Sequence, residues 1–151
     1  MKDLACGCPG SHVKTIERTE TDQPVGGKLQ SELRQWPTQL TLVPPAAPWL
    51  ADADLLVVAD CVPMAYADFH RDFIKGRVLV QACPKLDDTS HYVDKLTAMF
   101  EQNDIRSVTV PIMEVPCCHG LGTMVQQAVA ASGKDIPLET VIVGVDGERR
   151  N

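Results

Sequence analysis

The chain predicts an α/β fold, a three-layer sandwich around a mainly parallel five-stranded sheet, preceded by an irregular amino-terminal arm. Two observations carry this expectation. From Pro37 onward, apolar segments of strand length alternate with segments of helical period, the pattern of βαβ units. The strand-like segments are also near-continuous runs of Val, Ile, Leu and Thr, as strands covered on both faces must be.

The five expected strands are TQLTLV (38–43), DLLVVADC (54–61), RVLVQAC (77–83), SVTVPIMEV (107–115) and TVIVGVD (140–146). Proline removes a ladder donor, so Pro111 implies a bulge in the fourth strand or a place partly at an edge. Between strands, Ala65 to Ile74, Ser90 to Asn103 and Leu121 to Ser132 read as helices. In the second, Tyr92, Val93, Leu96, Met99 and Phe100 share one face, with Thr89 or Ser90 as the cap. Gly133 supplies the carboxyl-terminal cap of the third. The arrangement is Rossmann-like or flavodoxin-like. Residues 1–36, with CGCPGS and a polar run through TETDQPVGGK, form an arm or lid, and residues 37–151 form the α/β domain. Trp49 reads as core or lid packing.

At 151 residues the chain is long enough to bury a continuous core without disulfide staples. Lys and Arg total 14 against 20 Asp and Glu, a net charge of -6, and no basic block is interleaved with aromatics, which argues against nucleic acid. MKDLACGCPGSHVK has no apolar leader core, and nothing approaches the roughly 18 apolar residues of a spanning helix. The expectation is a soluble, cytoplasmic protein with no membrane partner. Six cysteines in such a reducing compartment read as ligands or redox thiols rather than disulfides.

Their positions sharpen that reading. Cys61 and Cys83 close expected strands, and Cys117-Cys118 directly follows another. The carboxyl ends of parallel strands form the rim where ligands sit, so these thiols converge. Cys6 and Cys8 would come from the arm. A buried cysteine is a common small core residue, but four at strand ends together with CGCPG form a set that packing alone does not explain.

Thiolates hold zinc or iron–sulfur clusters. Cys6-Gly7-Cys8 and Cys117-Cys118 are too tight for a zinc knuckle, whereas adjacent cysteines can reach a cluster whose irons are spread over several ångströms. Helices after Cys61, Cys83 and Cys118 would point N–H groups at the rim, where they could bond cluster sulfurs and raise the potential. Pro63, Pro84 and Pro116 stop the strands, while Gly120 and Gly122 let backbone approach closely. Lys85, His70 and Arg71 are candidate nearby cations. His119 reads as a helix-start or surface residue more than a ligand or proton shuttle.

Nucleotide sites fare worse. A flavin phosphate loop would have to follow the first strand, where Pro44-Pro45-Ala46-Ala47-Pro48 offers few N–H donors. Gly120-Leu121-Gly122-Thr123-Met124-Val125 lacks the third glycine of a dinucleotide fingerprint, and neither a Walker loop nor G-x-S-x-G occurs.

The runs CGCPGS, SELRQWPTQL with LVPP, DADLLVVADCVPMAYADFHRDFIKG, ACPKLDD and MEVPCCHGL resemble a family of 4Fe-4S ferredoxin-related proteins of anaerobic bacteria and archaea, over nearly the whole chain. The resemblance singles out Cys8, Cys61, Cys83, Cys117 and Cys118, with Cys6 fitting less closely. Many relatives carry a two-cluster ferredoxin segment ahead of this module. This chain has no C-x-x-C-x-x-C-x-x-x-C run. The resemblance therefore implies an iron–sulfur redox protein, most simply 4Fe-4S although a non-cubane or heterometal cluster also fits six thiols, exchanging electrons with a separate ferredoxin-like partner near Lys85 and Arg71. Two rivals remain: a redox enzyme or sensor using the vicinal thiols Cys117 and Cys118, and a zinc-bound interaction module.

Overall fold

Six strands build two sheets in the computed structural model, which describes residues 12–17 and 27–151. In a small ribbon, β1 (Lys14–Thr15) pairs antiparallel with β2 (Gln35–Trp36). The main sheet contains β3 (Asp54–Ala59), β4 (Val78–Ala82), β5 (Ser107–Met113) and β6 (Leu138–Val143), all parallel, in the order β4–β3–β5–β6. Leu55 to Ala59 are buried on both faces of the sheet, which is why the run is continuously apolar.

The strand expected at 38–43 is reduced to one bridge, Gln39 to Gln81, beside β4. The Leu42 and Val43 N–H groups turn back onto the Gln39 carbonyl at 2.9 and 3.1 Å, just before Pro44-Pro45. Leu40 and Val43 are fully buried. The segment's apolar residues serve the core without making a fifth strand.

The chain leaves β3 to reach β4 on one side, then crosses to β5 and β6 on the other. Right-handed crossovers therefore put the two long helices on one face and the β3–β4 connection on the opposite face. That connection was expected to be one helix. It is split into α1 (Val62–Ala65) and a π-helical turn at His70–Ile74, because Tyr66 is extended and its O–H donates to Asp72 Oδ2 at 2.7 Å. Phe69, Phe73 and Ile74 still face the core.

Across the sheet lie α2 (Tyr92–Gln102) and α3 (His119–Ser132), packed against each other. Tyr92, Leu96, Met99 and Phe100 are buried, each worth about 1.5–3 kcal/mol of transfer free energy for its apolar part, and Val93 packs at their margin. Neither Thr89 nor Ser90 caps α2 with its side chain. The Thr89 carbonyl accepts the Tyr92 N–H at 3.0 Å instead, and Ser90 N–H donates to Asp88 Oδ1 at 3.1 Å. Gly133 ends α3 with φ of 70°, the left-handed cap that glycine accepts without strain.

Pro111 is neither at an edge nor in a bulge, since β5 is a central strand and keeps continuous register with β6 from Val108–Leu138 to Met113–Val143. The N–H groups of Val108 and Glu114 both donate toward the β6 side, to Pro137 and Val143 carbonyls at 2.9 Å. By alternation, the donor that Pro111 lacks would face β3. The β3–β5 ladder accordingly stops at Leu56–Thr109, while β3–β4 continues to Ala59–Ala82. Among the described residues, no helix is long and apolar enough to cross a membrane.

Candidate functional site at the carboxyl rim

The strand order reverses between β3 and β5, and in open α/β sheets the crevice beyond the carboxyl ends at such a point is where ligands bind. Cys61 follows β3 there, exposed, with its carbonyl accepting the Ala65 N–H at 3.1 Å to start α1. Pro63 occupies the first turn of that helix, where its missing N–H costs nothing. After β5, Val115 leads into a 3₁₀ turn, Pro116–Cys118, that runs directly into α3. This turn exposes Cys117 and buries Cys118.

Cys83, half-buried, follows β4. Its loop is locked at both ends: Cys83 N–H donates to Asp87 Oδ2 at 2.9 Å, and Asp87 N–H donates to the Cys83 carbonyl at 2.9 Å. The Tyr92 O–H donates to the same carboxylate oxygen, and Thr41 Oγ1 lies 3.3 Å from the Tyr92 hydroxyl. Burial, then the Asp87 bond, holds the Tyr92 phenol well above its usual range. The first turn of α3 lies against this loop, since a Cβ on Gly120 would sit 3.9 Å from Pro84 Cβ.

Three thiols interact electrostatically. Burial pushes the Cys118 thiol up, a backbone hydrogen bond at Met113 opposes that shift, and Cys117 and Cys61 push it further up. Cys61 and Cys117 therefore lie within electrostatic range of Cys118 beside the β3–β5 crevice, and Cys83 follows the neighbouring strand β4. Neighbouring strands are about 4.8 Å apart, so β4 to β5 spans about 10 Å. No disulfide joins these four thiols. Among the described residues, no three His, Cys, Asp or Glu side chains are grouped to hold one metal ion. Cys6 and Cys8 lie outside the described residues.

Two of the expected cations are engaged elsewhere, and the third, Lys85, lies two residues after Cys83. Arg71 binds Asp68 at 2.7 Å and Asp72 at 2.9 Å, and His70 Nδ1 accepts the Glu32 N–H at 3.1 Å. Lys85 is exposed on the Cys83 loop, and His119 is exposed at the start of α3. Trp49 packs against the core.

Two carboxylates escaped the sequence reading. Asp60, directly before Cys61, has a buried Oδ1 with no hydrogen-bond partner. Burial and then the neighbouring Asp87 push its carboxyl up. The only sequence signal was position: an acid beside each of two strand-end cysteines, in ADC and in CPKLD. Nothing in the string told that Asp87 would act electrostatically on Asp60.

Residues 47–150 match a Rossmann-like domain family. An uncharacterized protein of Archaeoglobus fulgidus is 34% identical over 116 residues, covering 77% of this chain and 81% of the relative. No solved structure matches significantly. With its parallel sheet, its helices on both faces and its strand reversal at β3 and β5, the chain belongs to the Rossmann-like domain family.

Proposed function

We propose that the protein is an iron–sulfur redox protein, akin to the 4Fe-4S ferredoxin-related proteins, with Cys61, Cys83, Cys117 and Cys118 as ligands on the sheet rim. What supports the reading is that unbridged thiols follow three adjacent strands, beside the crevice where this sheet type binds ligands. Cys8 and, less closely, Cys6 complete the set. Cys8 precedes Lys14 by six residues, which an extended chain spans in about 20 Å. A cluster held there supplies one-electron chemistry. The residues fix its position: Asp87 locks the Cys83 loop, the Pro116–Cys118 turn presents the vicinal pair, and Cys118 forms the dry floor.

The partner in this reading is a ferredoxin-like electron carrier, approaching the rim beside Lys85, and the unbridged thiols fit a reducing, cytoplasmic setting. A vicinal-thiol enzyme or sensor is the second reading, favoured by the exposure of Cys117 beside buried Cys118. In it Cys117 would be the nucleophile, since burial holds Cys118 protonated.

Anaerobic reconstitution with ferrous iron and sulfide distinguishes the readings. Brown protein retaining iron and acid-labile sulfide is expected, with uptake abolished or altered by Cys61→Ser, Cys83→Ser, Cys117→Ser or Cys118→Ser and least affected by Cys6→Ser. Colourless protein with stoichiometric zinc overturns the proposal. Full iron content in both Cys61→Ser and Cys83→Ser would return those residues to the status of ordinary thiols.

A further inference from the structure

We propose that the Cys83 loop is a flap latched from the core by Tyr92, so that Cys83 is a gated thiol while Cys61 and Cys117 stand open. The inference takes from the reading above only that Cys83 is a working thiol, and it holds whether the rim grips a cluster or its thiols react themselves.

The loop from Cys83 to Asp87 has little packing to hold it. Lys85 is exposed, and Leu86, a residue that a packed loop would bury, is 82% exposed. Pro84 is half-buried, beside the first turn of α3. Closure comes from Asp87 instead. Its Oδ2 accepts the Cys83 N–H at 2.9 Å, and its own N–H donates to the Cys83 carbonyl at 2.9 Å. These two bonds close the loop on itself. The tie from the loop to the core is the Tyr92 O–H, which donates to the same Oδ2.

Tyr92 is a fixed post for that tie. It is fully buried in the first turn of α2, with Leu96, Met99 and Phe100 buried along the same helix. Thr41 Oγ1 lies 3.3 Å from its hydroxyl, and the Thr41 carbonyl accepts from Lys95 Nζ, one turn further along α2, at 2.7 Å. The post is therefore held from the helix and from the segment beside β4. A loop with few buried apolar contacts belongs to the low end of local opening free energies, so one bond to a fixed post sets how often it opens. Cys61 and Cys117 need no such opening, since both are exposed, whereas Cys118 is only 7% exposed. The rim thus offers two standing thiols, one gated thiol and one closed thiol.

The test is site-resolved alkylation of the reduced, metal-free full chain by iodoacetamide, read by peptide mass spectrometry for wild type and Tyr92→Phe. In wild type, Cys61 and Cys117 are expected to label fastest, Cys83 more slowly and Cys118 last. Tyr92→Phe keeps the ring in the core and removes the donor. Cys83 should then label about tenfold faster, the factor to which the net contribution of an ordinary hydrogen bond corresponds, with Cys61 and Cys118 unchanged. Cys118 is the control for general loosening: its acceleration in step with Cys83 overturns the latch, as does an unchanged Cys83 rate in folded Tyr92→Phe. Wild-type Cys83 that labels as fast as Cys61 overturns it too. Should Tyr92→Phe fail to fold, amide hydrogen exchange of the wild type decides. The Cys83 and Asp87 N–H groups should open together and more readily than those of Val57 and Val58 in β3, and equal protection of all four overturns the latch. No outcome depends on iron uptake, so the latch and the cluster reading fail separately.

Discussion

The two ends of β3 and β5 are built by opposite rules. At the amino end side chains and backbone interlock: Asp54 accepts from Arg106 Nη2 and from Ser107 Oγ, both at 2.7 Å, and Arg106 N–H donates to the Ala53 carbonyl at 2.8 Å. At the carboxyl end the ladder stops at Leu56–Thr109, Pro111 withholds a donor, Asp60 keeps a buried oxygen without a partner, and Cys61 and Cys117 stand exposed. The same pair of strands is thus fastened at one end and left available at the other. Local rules of foldability are broken where a ligand would sit, and the fastened end holds the frame that tolerates it.

The largest loss of stability is expected between the two ends. Leu56, fully buried at the last β3–β5 pair, should cost about 3 kcal/mol on Leu56→Ala, read as a lowered urea midpoint with unchanged slope. A loss below about 1 kcal/mol would mean that the β3–β5 seam does not hold the core. Next comes the fastened end. Asp54→Ala should cost about 1 kcal/mol, the hydrogen bond to Ser107 contributing more than the ion pair, because the Arg106 side chain is 60% exposed and its charge is screened. A double variant with Ser107→Ala should then show coupling, and strict additivity would contradict the shared geometry. Smallest is the open end: in metal-free protein Cys61→Ser and Cys117→Ser should each change stability by no more than about 0.5 kcal/mol, since both side chains are exposed. A larger loss would make these thiols part of the frame.

Strands β3 to β6 were legible because a doubly covered strand must be apolar along its whole length, and Leu55 to Ala59 state this without help from context. Helices α2 and α3 were legible from period and from Gly133. TQLTLV misled because alternation reports burial, not pairing: Leu40 and Val43 are in the core, but Pro44-Pro45 ends the run before a ladder can form. The ribbon of β1 and β2 lay inside a segment read as an irregular arm, since Lys14–Thr15 and Gln35–Trp36 are too short to show a period. Four cysteines could be placed after strand ends from the sequence alone, but Asp87 and Tyr92 could not be joined: their hydrogen bonds link the Cys83 loop to α2, and sequence spacing carries no record of which carboxylate turns inward.

The shortened ladder gives the sheet a seam. β4 with β3 forms one half, β5 with β6 the other, and between them direct strand pairing extends only from Asp54–Ser107 to Leu56–Thr109. Cys61 and Cys83 belong to the first half, Cys117 and Cys118 to the second. Anything gripped by both sets is therefore a staple across the seam. Its binding free energy would be shared with the folding of the domain, so that losing it would slacken the rim's local opening equilibrium before it touched the fastened end.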